Sequence, residues 1–294
     1  MKNLTLVLLV ILLDACAGSQ SESQSNCDDH SKDIQTDTIS ELSEELIEEV
    51  PRNDWEEHNL LGNVKHYGIH SYDVDENGEE IGMGGYYESY DFDDRGFVLE
   101  MQTSGCCGYG EEHVNYKRKE DGTLTHRIFK RSDDYDAINE ETPLDHKEKY
   151  FYKEGVLVEM KIAGADSILK EEHHYKYDEG GQLIKETVYD GDDNLIKTVN
   201  YVYESDYMKE SWEFPNEKQN YSREYYYNDH GDMSQQILNM ASGNIQTTEY
   251  SYTYDDQGNW TKRTSKYQTV FPDGKKDDWM PGLVEERTIK YFED

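Results

Sequence analysis

Tyrosines at every second position, closed by a turn of the form Asp-x-x-Gly, recur along most of this chain. Tyr250, Tyr252 and Tyr254 precede Asp255 and Gly258. Tyr225 and Tyr227 precede Asn228 and Gly231, Tyr175 and Tyr177 precede Asp178 and Gly181, and Tyr90 and Phe92 precede Asp93 and Gly96. In these units the glycine follows the last aromatic by four residues. Tyr150 and Tyr152 reach Gly155 one residue sooner, and Tyr201 and Tyr203 run into Glu204-Ser205-Asp206-Tyr207 with no glycine. The steps from Gly155 to Gly181 and from Gly231 to Gly258 are 26 and 27 residues, and the 50 between Gly181 and Gly231 hold two units. A fixed period of this kind means an array of one supersecondary unit.

Side chains alternate faces along a strand, so Tyr-x-Tyr-x-Tyr places its rings on one side. Asp or Asn opens a type I turn, and glycine supplies the left-handed residue that closes such a hairpin. The strand after the glycine alternates again, as in Val156, Val158, Met160 and Ile162. A second polar turn brings the chain back, as in Gly191-Asp192-Asp193-Asn194. Roughly 16 strands are expected between Val64 and Phe292, as antiparallel neighbours in one meander. The fold class is therefore all-β. Hydrophobic residues make up only 35% of the chain, and 25 of its aromatics are tyrosine. That composition predicts a single curved sheet with one tyrosine face and one charged face, its edges guarded by Lys and Glu.

The stretches YTYDDQGN at 252–259 and YKYDEGGQL at 175–183 resemble the YD repeat of RHS-type bacterial proteins. The resemblance covers about residues 64–293, with four close units. It implies a β-meander. In that family long arrays form hollow shells, some around a C-terminal toxin; here the array runs to Tyr291-Phe292-Glu293-Asp294, so the cargo role does not carry over. The whole also resembles the short YD-repeat lipoproteins of Bacteroidota.

The N-terminus accounts for that second likeness. Lys2 precedes an apolar run from Leu4 to Leu13. The run is shorter than the ~20 residues needed to span a bilayer, so residues 1–15 read as a signal peptide. Leu13-Asp14-Ala15-Cys16 resembles the lipobox of bacterial lipoproteins, which implies export, cleavage before Cys16 and lipid on that cysteine, with Asp14 a departure from the usual pattern. Residues 16–55 form an acidic tether. Within it Ile39, Leu42, Leu46 and Val50 share one helical face, predicting a short helix over 39–50 that Pro51 ends. Residues 56–294 form the β domain. The expected location is the outer membrane, periplasmic or surface-exposed, with the membrane touched only through the N-terminal lipid.

Lys2 and Asp14 cancel (+1 − 1 = 0), so the exported chain keeps the formal charge of −35. Such a charge repels phosphate backbones and excludes nucleic acid as a partner. It also disfavours anionic membrane surfaces.

Candidate chemistry is sparse. Asp73-Val74-Asp75-Glu76-Asn77-Gly78 begins like a calcium loop, but Gly84 stands where the bidentate Glu belongs, so it reads as an acidic hairpin turn. Cys106 and Cys107 are neighbours, with α-carbons too close for an unstrained bridge. No metalloprotease, nucleophile-elbow or P-loop pattern occurs, so no catalysis, cofactor or metal is expected. The irregular glycine-rich stretches GMGGYYESY and SGCCGYG single out Tyr86, Tyr87, Cys106, Cys107 and Tyr109 as candidate ligand-facing residues, against a kink in the sheet. The expected role is binding or scaffolding in the cell envelope, with a protein or a glycan as partner. The alternative is an enzyme acting on envelope polysaccharide.

Overall fold

A computed structural model of the chain describes residues 53–75, 77–105, 110–132, 138 and 142–293. The predicted helix over 39–50, the lipobox with Cys16, and Cys106, Cys107 and Tyr109 lie outside the described residues.

Sixteen strands follow one another in a meander. They are β1 (Val64–Val74), β2 (Glu80–Phe92), β3 (Val98–Ser104), β4 (Glu111–Arg118), β5 (Leu124–Ser132), β6 (Leu144–Lys153), β7 (Val156–Gly164) and β8 (Leu169–Tyr177). The second half comprises β9 (Leu183–Asp190), β10 (Leu195–Glu204), β11 (Tyr207–Glu213), β12 (Tyr221–Tyr227), β13 (Met233–Asn239), β14 (Ile245–Tyr254), β15 (Trp260–Val270) and β16 (Met280–Tyr291). A four-residue helix, α1 (Asp54–Glu57), precedes them.

The expectation of a single curved sheet is corrected in one respect: the sheet closes. β1 pairs antiparallel with β2 on one side and with β16 on the other, where Tyr67 faces Ile289 and Ile69 faces Arg287. Strands twist relative to their neighbours, and an edge strand carries a row of unpaired N–H and C=O groups. Once the sheet curls far enough for its first and last strands to meet, pairing them satisfies both rows. The edge protection expected of Lys and Glu is then unnecessary.

The repeat shapes one end of the barrel. In the β8–β9 turn the Asp178 N–H donates to Gln182 O at 2.9 Å, and Oδ1 of Asp178 accepts the N–H groups of Gly180 and Gln182, both at 2.9 Å. Gly181 sits at φ 79°, which a Cβ would strain. The register shift falls where Tyr177 pairs with Leu183, the one-residue bulge that such a turn produces. The same shift recurs at Phe92, Arg118, Tyr227 and Tyr254. The unit lacking one residue turns through Glu154 and Gly155 with φ of 53° and 80°, a two-residue hairpin of the primed type. The unit lacking glycine also makes a two-residue turn, with Glu204 paired to Tyr207.

The tyrosine face points inward. Tyr67, Tyr90, Tyr201 and Tyr225 are buried on it together with Val114, Met160, Val188 and Val199. Apolar packing gathers in two places. One cluster joins Leu60, Val64, Tyr67, Tyr90, Phe92 and Val98; the other joins Val199, Tyr201, Met208 and Tyr225 on β10 to β12, across the barrel.

Candidate functional site

Along alternate strands the repeat stacks inward rings in tiers behind one mouth of the barrel. Phe92, Tyr152, Tyr177, Tyr203, Tyr227, Tyr254 and Tyr291 form the rim. Tyr90, Tyr116, Tyr150, Tyr175, Tyr201, Tyr225 and Tyr252 lie one step deeper. The strands between them supply charge at the depth of the second tier. Arg127 faces Glu148, Glu210 faces Arg223, and Arg263 faces Glu285 in the ladder registers.

Strand arginines keep to the inner face and most strand lysines to the outer one, with Lys197 an inward exception. All six strand arginines, Arg118, Arg127, Arg131, Arg223, Arg263 and Arg287, share the inward register. Lys117, Lys130, Lys161, Lys176, Lys209 and Lys262 all share the outward one. The planar, weakly hydrated guanidinium stacks on rings and pairs with carboxylates, whereas the ammonium keeps its water. Arg127 stands over Tyr116 at 5.8 Å and Phe129 at 5.5 Å, while its Nε donates to Glu148 at 2.6 Å. Arg263 stands over Tyr250 at 5.3 Å and is paired twice with Glu285. Arg287 stands 3.7 Å from the centre of Trp260 and 4.9 Å from that of Tyr67, and burial lowers its pKa to about 10. Lys197, inward on β10, lies over Trp212 at 4.4 Å. Burial disfavours charge on His173, but Glu171 and Glu186 outweigh it and hold its pKa above the ordinary value.

A strap crosses part of the ringed mouth. It runs from Asn53 through α1 to Asn63. At one side Asp54 accepts a hydrogen bond from the Val98 N–H and pairs with Arg118 at 2.5 Å. Trp55 Nε1 donates to Val64 O at 2.7 Å, and the Tyr67 hydroxyl meets His58 Nδ1 at 2.5 Å. At the far side Asn59 Nδ2 donates to Asp232 at 2.9 Å in the β12–β13 turn. Leu61 exchanges two hydrogen bonds with Asn259 in the β14–β15 turn. Burial, with Arg287 nearby, holds His58 neutral, far below the ordinary histidine pKa. Glu57, at the end of α1, lies within electrostatic reach of Asp54, Arg118 and Arg127. Burial, and then the Asp54 carboxylate, push its pKa up to about 7.

Of the candidate ligand-facing residues, Tyr86 and Tyr87 are described, and they part company. Tyr86 pairs with Ser71 on the inward register, towards the opposite mouth; Tyr87 pairs with His70 on the outward one and lies over Gly68. Consecutive strand residues cannot share a face. Neither the strap nor the arginine lining was foreseen from the sequence, but the lining does leave a signal there: every strand arginine stands in phase with the repeat tyrosines.

The outer wall is polar. Its registers carry pairs such as Lys161 with Glu172, Lys209 with Glu224 and Lys262 with Glu286. Barrels that span an outer membrane show an apolar outward band between aromatic girdles, and the described outer registers show no such band. Outside, Glu159, Glu172 and His174 bring ligand atoms within 4.8 Å of one another. The Lys161 ammonium already bridges both glutamates at 2.8 and 3.0 Å.

No family model matches the chain, and no curated protein matches it. Among solved structures it is similar to a porin-like protein from Bacteroides uniformis ATCC 8492, with a TM-score of 0.55 and 10% identity over 77% of this chain and 96% of that one. At that identity the likeness concerns the fold alone. A TcdB2-TccC3-Cdc42 structure aligns with a TM-score of 0.22 and 12% identity over 75% of this chain and 16% of that one.

Proposed function

We propose that the chain is an exported, lipid-anchored binding protein of the cell envelope, without catalysis, whose ligand meets the ringed mouth of the barrel. The supporting observation is the inversion of the wall. The outer registers carry mainly Lys, Glu, His and Thr, which suit water, with only scattered rings such as Tyr87, Tyr189 and Tyr207, while the inner registers carry tiers of rings and paired charges. A body of this kind stands in water and needs a separate anchor. Cys16 supplies one, and residues 17–52 are long enough to hold the barrel off the bilayer. Such a protein works in the periplasm or at the outer-membrane surface as a receptor or scaffold, for a protein or a glycan.

Crosslinking on intact cells, with recovery of the tagged protein and mass spectrometry of its neighbours, tests this reading. One stoichiometric protein neighbour supports a protein-binding role. Recovery with no protein neighbour transfers the role to a glycan, and turnover of a polysaccharide would overturn the non-catalytic reading.

A further inference from the structure

The strap covers only part of the mouth. Its contacts reach the turns on the β2–β5 side and on the β12–β15 side. Between them, Tyr152, Tyr177, Tyr203 and Tyr227 stand on alternate strands of one wall. Neighbouring strands are about 4.8 Å apart, so these rings follow one another at about 10 Å.

The four differ from the rest of the lining. Several other inner rings lie under cations of the chain, with Arg127 over Tyr150, Arg223 over Tyr221 and Arg287 over Tyr67, and the Tyr201 and Tyr225 phenols donate to Glu186 and Glu210. Under the strap, the rim phenols Tyr254 and Tyr291 are hydrogen-bonded, to Asp232 at 2.9 Å and Asp255 at 2.6 Å. Among the described residues, Tyr152, Tyr177, Tyr203 and Tyr227 have neither a cation over the ring nor a partner for the hydroxyl. Tyr152 is 37% exposed. The turns beside these rings carry Glu154, Asp178, Glu179, Glu204, Asp206, Asp229 and Asp232 against one lysine, Lys153, and one histidine, His230. The strap adds Glu57, close enough to Tyr152 to act on it electrostatically.

We propose that this uncovered arc is a docking site for a lysine- or arginine-bearing segment of a partner protein, whose cations take the places over Tyr152, Tyr177, Tyr203 and Tyr227 that the chain's own arginines take elsewhere. The inference rests on the binding role proposed above and names the chemistry of the partner. Charge complementarity selects this occupant. Rings edged by carboxylates attract an organic cation, and an ammonium or guanidinium over a tyrosine face gains most where water is partly excluded. A peptide in the polyproline II conformation advances about 3.1 Å per residue with three residues per turn, so every third side chain faces the same way and meets a new ring about every 10 Å. Carboxylates outnumber Lys153 and His230 in these turns, which disfavours an anionic ligand.

The test is calorimetric titration of the full chain with the peptide (Lys-Gly-Gly)4. It is repeated with the double variants Tyr177→Leu/Tyr203→Leu and Tyr177→Phe/Tyr203→Phe, and with the outward Tyr189→Leu. Loss of two cation–ring contacts is expected to weaken binding about tenfold in the leucine pair. The phenylalanine pair, which keeps both rings, and Tyr189→Leu should bind as the unaltered chain does. Thermal melts establish that each variant is folded; if the leucine pair is not, the exposed Tyr152→Leu takes its place. Equal affinity in the leucine and unaltered chains would overturn the proposal, since only diffuse surface charge would then be at work. Ring-dependent binding of cellohexaose in place of the peptide would overturn it in favour of a neutral glycan. Cell crosslinking remains an independent test of the wider reading: a protein neighbour without a basic segment would refute the cationic partner and leave the binding role standing.

Discussion

Asn259 holds Leu61 by both of its main-chain groups: Oδ1 accepts the Leu61 N–H at 2.7 Å, and Nδ2 donates to Leu61 O at 2.8 Å. The two residues are separated by 198 positions in the chain, and Asn259 is 1% exposed. Nδ2 also donates to the Tyr291 hydroxyl at 2.8 Å, so one amide fastens the strap, the β14–β15 turn and the last strand together. Replacing it with alanine removes both hydrogen bonds to the Leu61 main chain, each partly buried and contributing about 0.5–1.5 kcal/mol. Asn259→Ala should therefore lower stability by about 1–3 kcal/mol, read from urea unfolding. Asn259→Asp should be similarly harmful, because a carboxylate cannot donate to Leu61 O.

Arg118 and Asp54 form the opposite fastening, with side chains 13% and 6% exposed. Removing the arginine strands a buried carboxylate, which costs about 3–5 kcal/mol where the pair is fully buried. Arg118→Met should destabilise the chain strongly, and Asp54→Asn in that background should recover part of the loss. A double-mutant cycle by chemical unfolding checks this. Additive losses would mean that the two side chains do not interact.

The strap also makes stability depend on pH. Burial pushes the Glu57 carboxyl from the ordinary 4.5 up to about 7. A carboxyl with its folded pKa raised stabilises the fold fully below its unfolded pKa and loses that contribution as pH rises through the folded value. The chain should thus lose stability from about pH 4.5 to about pH 7 relative to Glu57→Gln. His173 adds a fall in the same direction. Its raised pKa contributes stability below the ordinary 6.5 that is lost as pH climbs above it. Urea midpoints of the chain, of Glu57→Gln and of His173→Gln, taken through the Glu57 range and on above the ordinary histidine pKa, measure both slopes.

Burial raises the tyrosine phenols as well, with Tyr152, Tyr177 and Tyr227 pushed up to about 12 and deeper Tyr67 well above its ordinary value. Phenols raised in the fold stabilise it up to their unfolded pKa of about 10 and withdraw that support as pH rises further. Near-ultraviolet titration should therefore show few phenols ionising near pH 10, then one steep step coinciding with loss of β-sheet circular dichroism. Gradual ionisation of the whole set with the sheet intact would contradict the inward placement of the rings.

The lipid anchor has its own test. If Cys16 carries the anchor and the outer wall stands in water, Cys16→Ala should move the protein from the detergent phase to the aqueous phase in phase separation. Retention in the detergent phase would mean that the barrel itself holds lipid.

Much of the architecture was legible because the repeat is local. Tyr-x-Tyr fixes a face, Asp-x-x-Gly fixes a turn, and counting them yields the strand number and a sheet with one tyrosine face. Closure was not legible, because nothing near Val64 or Tyr291 says that these two strands meet; that depends on twist summed over all the strands between them. The strap was hidden for the opposite reason. Asp54–Glu57 is a single helical turn whose order comes from Arg118, Asp232 and Asn259, all distant in sequence. As for the candidate site, irregular glycines drew attention to Tyr86 and Tyr87. Regularity marks the place proposed above: four repeat tyrosines that, among the described residues, have neither a cation over the ring nor a hydrogen-bond partner for the hydroxyl.

The closed barrel underlies every one of these statements, and a single disulfide tests it. His70 and Glu286 face each other across the β1–β16 seam on the outward register. With Cys16, Cys27, Cys106 and Cys107 changed to serine, the double variant His70→Cys/Glu286→Cys should oxidise readily. It should then run as a looped species on a non-reducing gel, as should the control pair Ser222→Cys/Asn239→Cys within the β12–β13 hairpin. Oxidation of the control without oxidation of the seam pair would show that the sheet is open and would contradict the account.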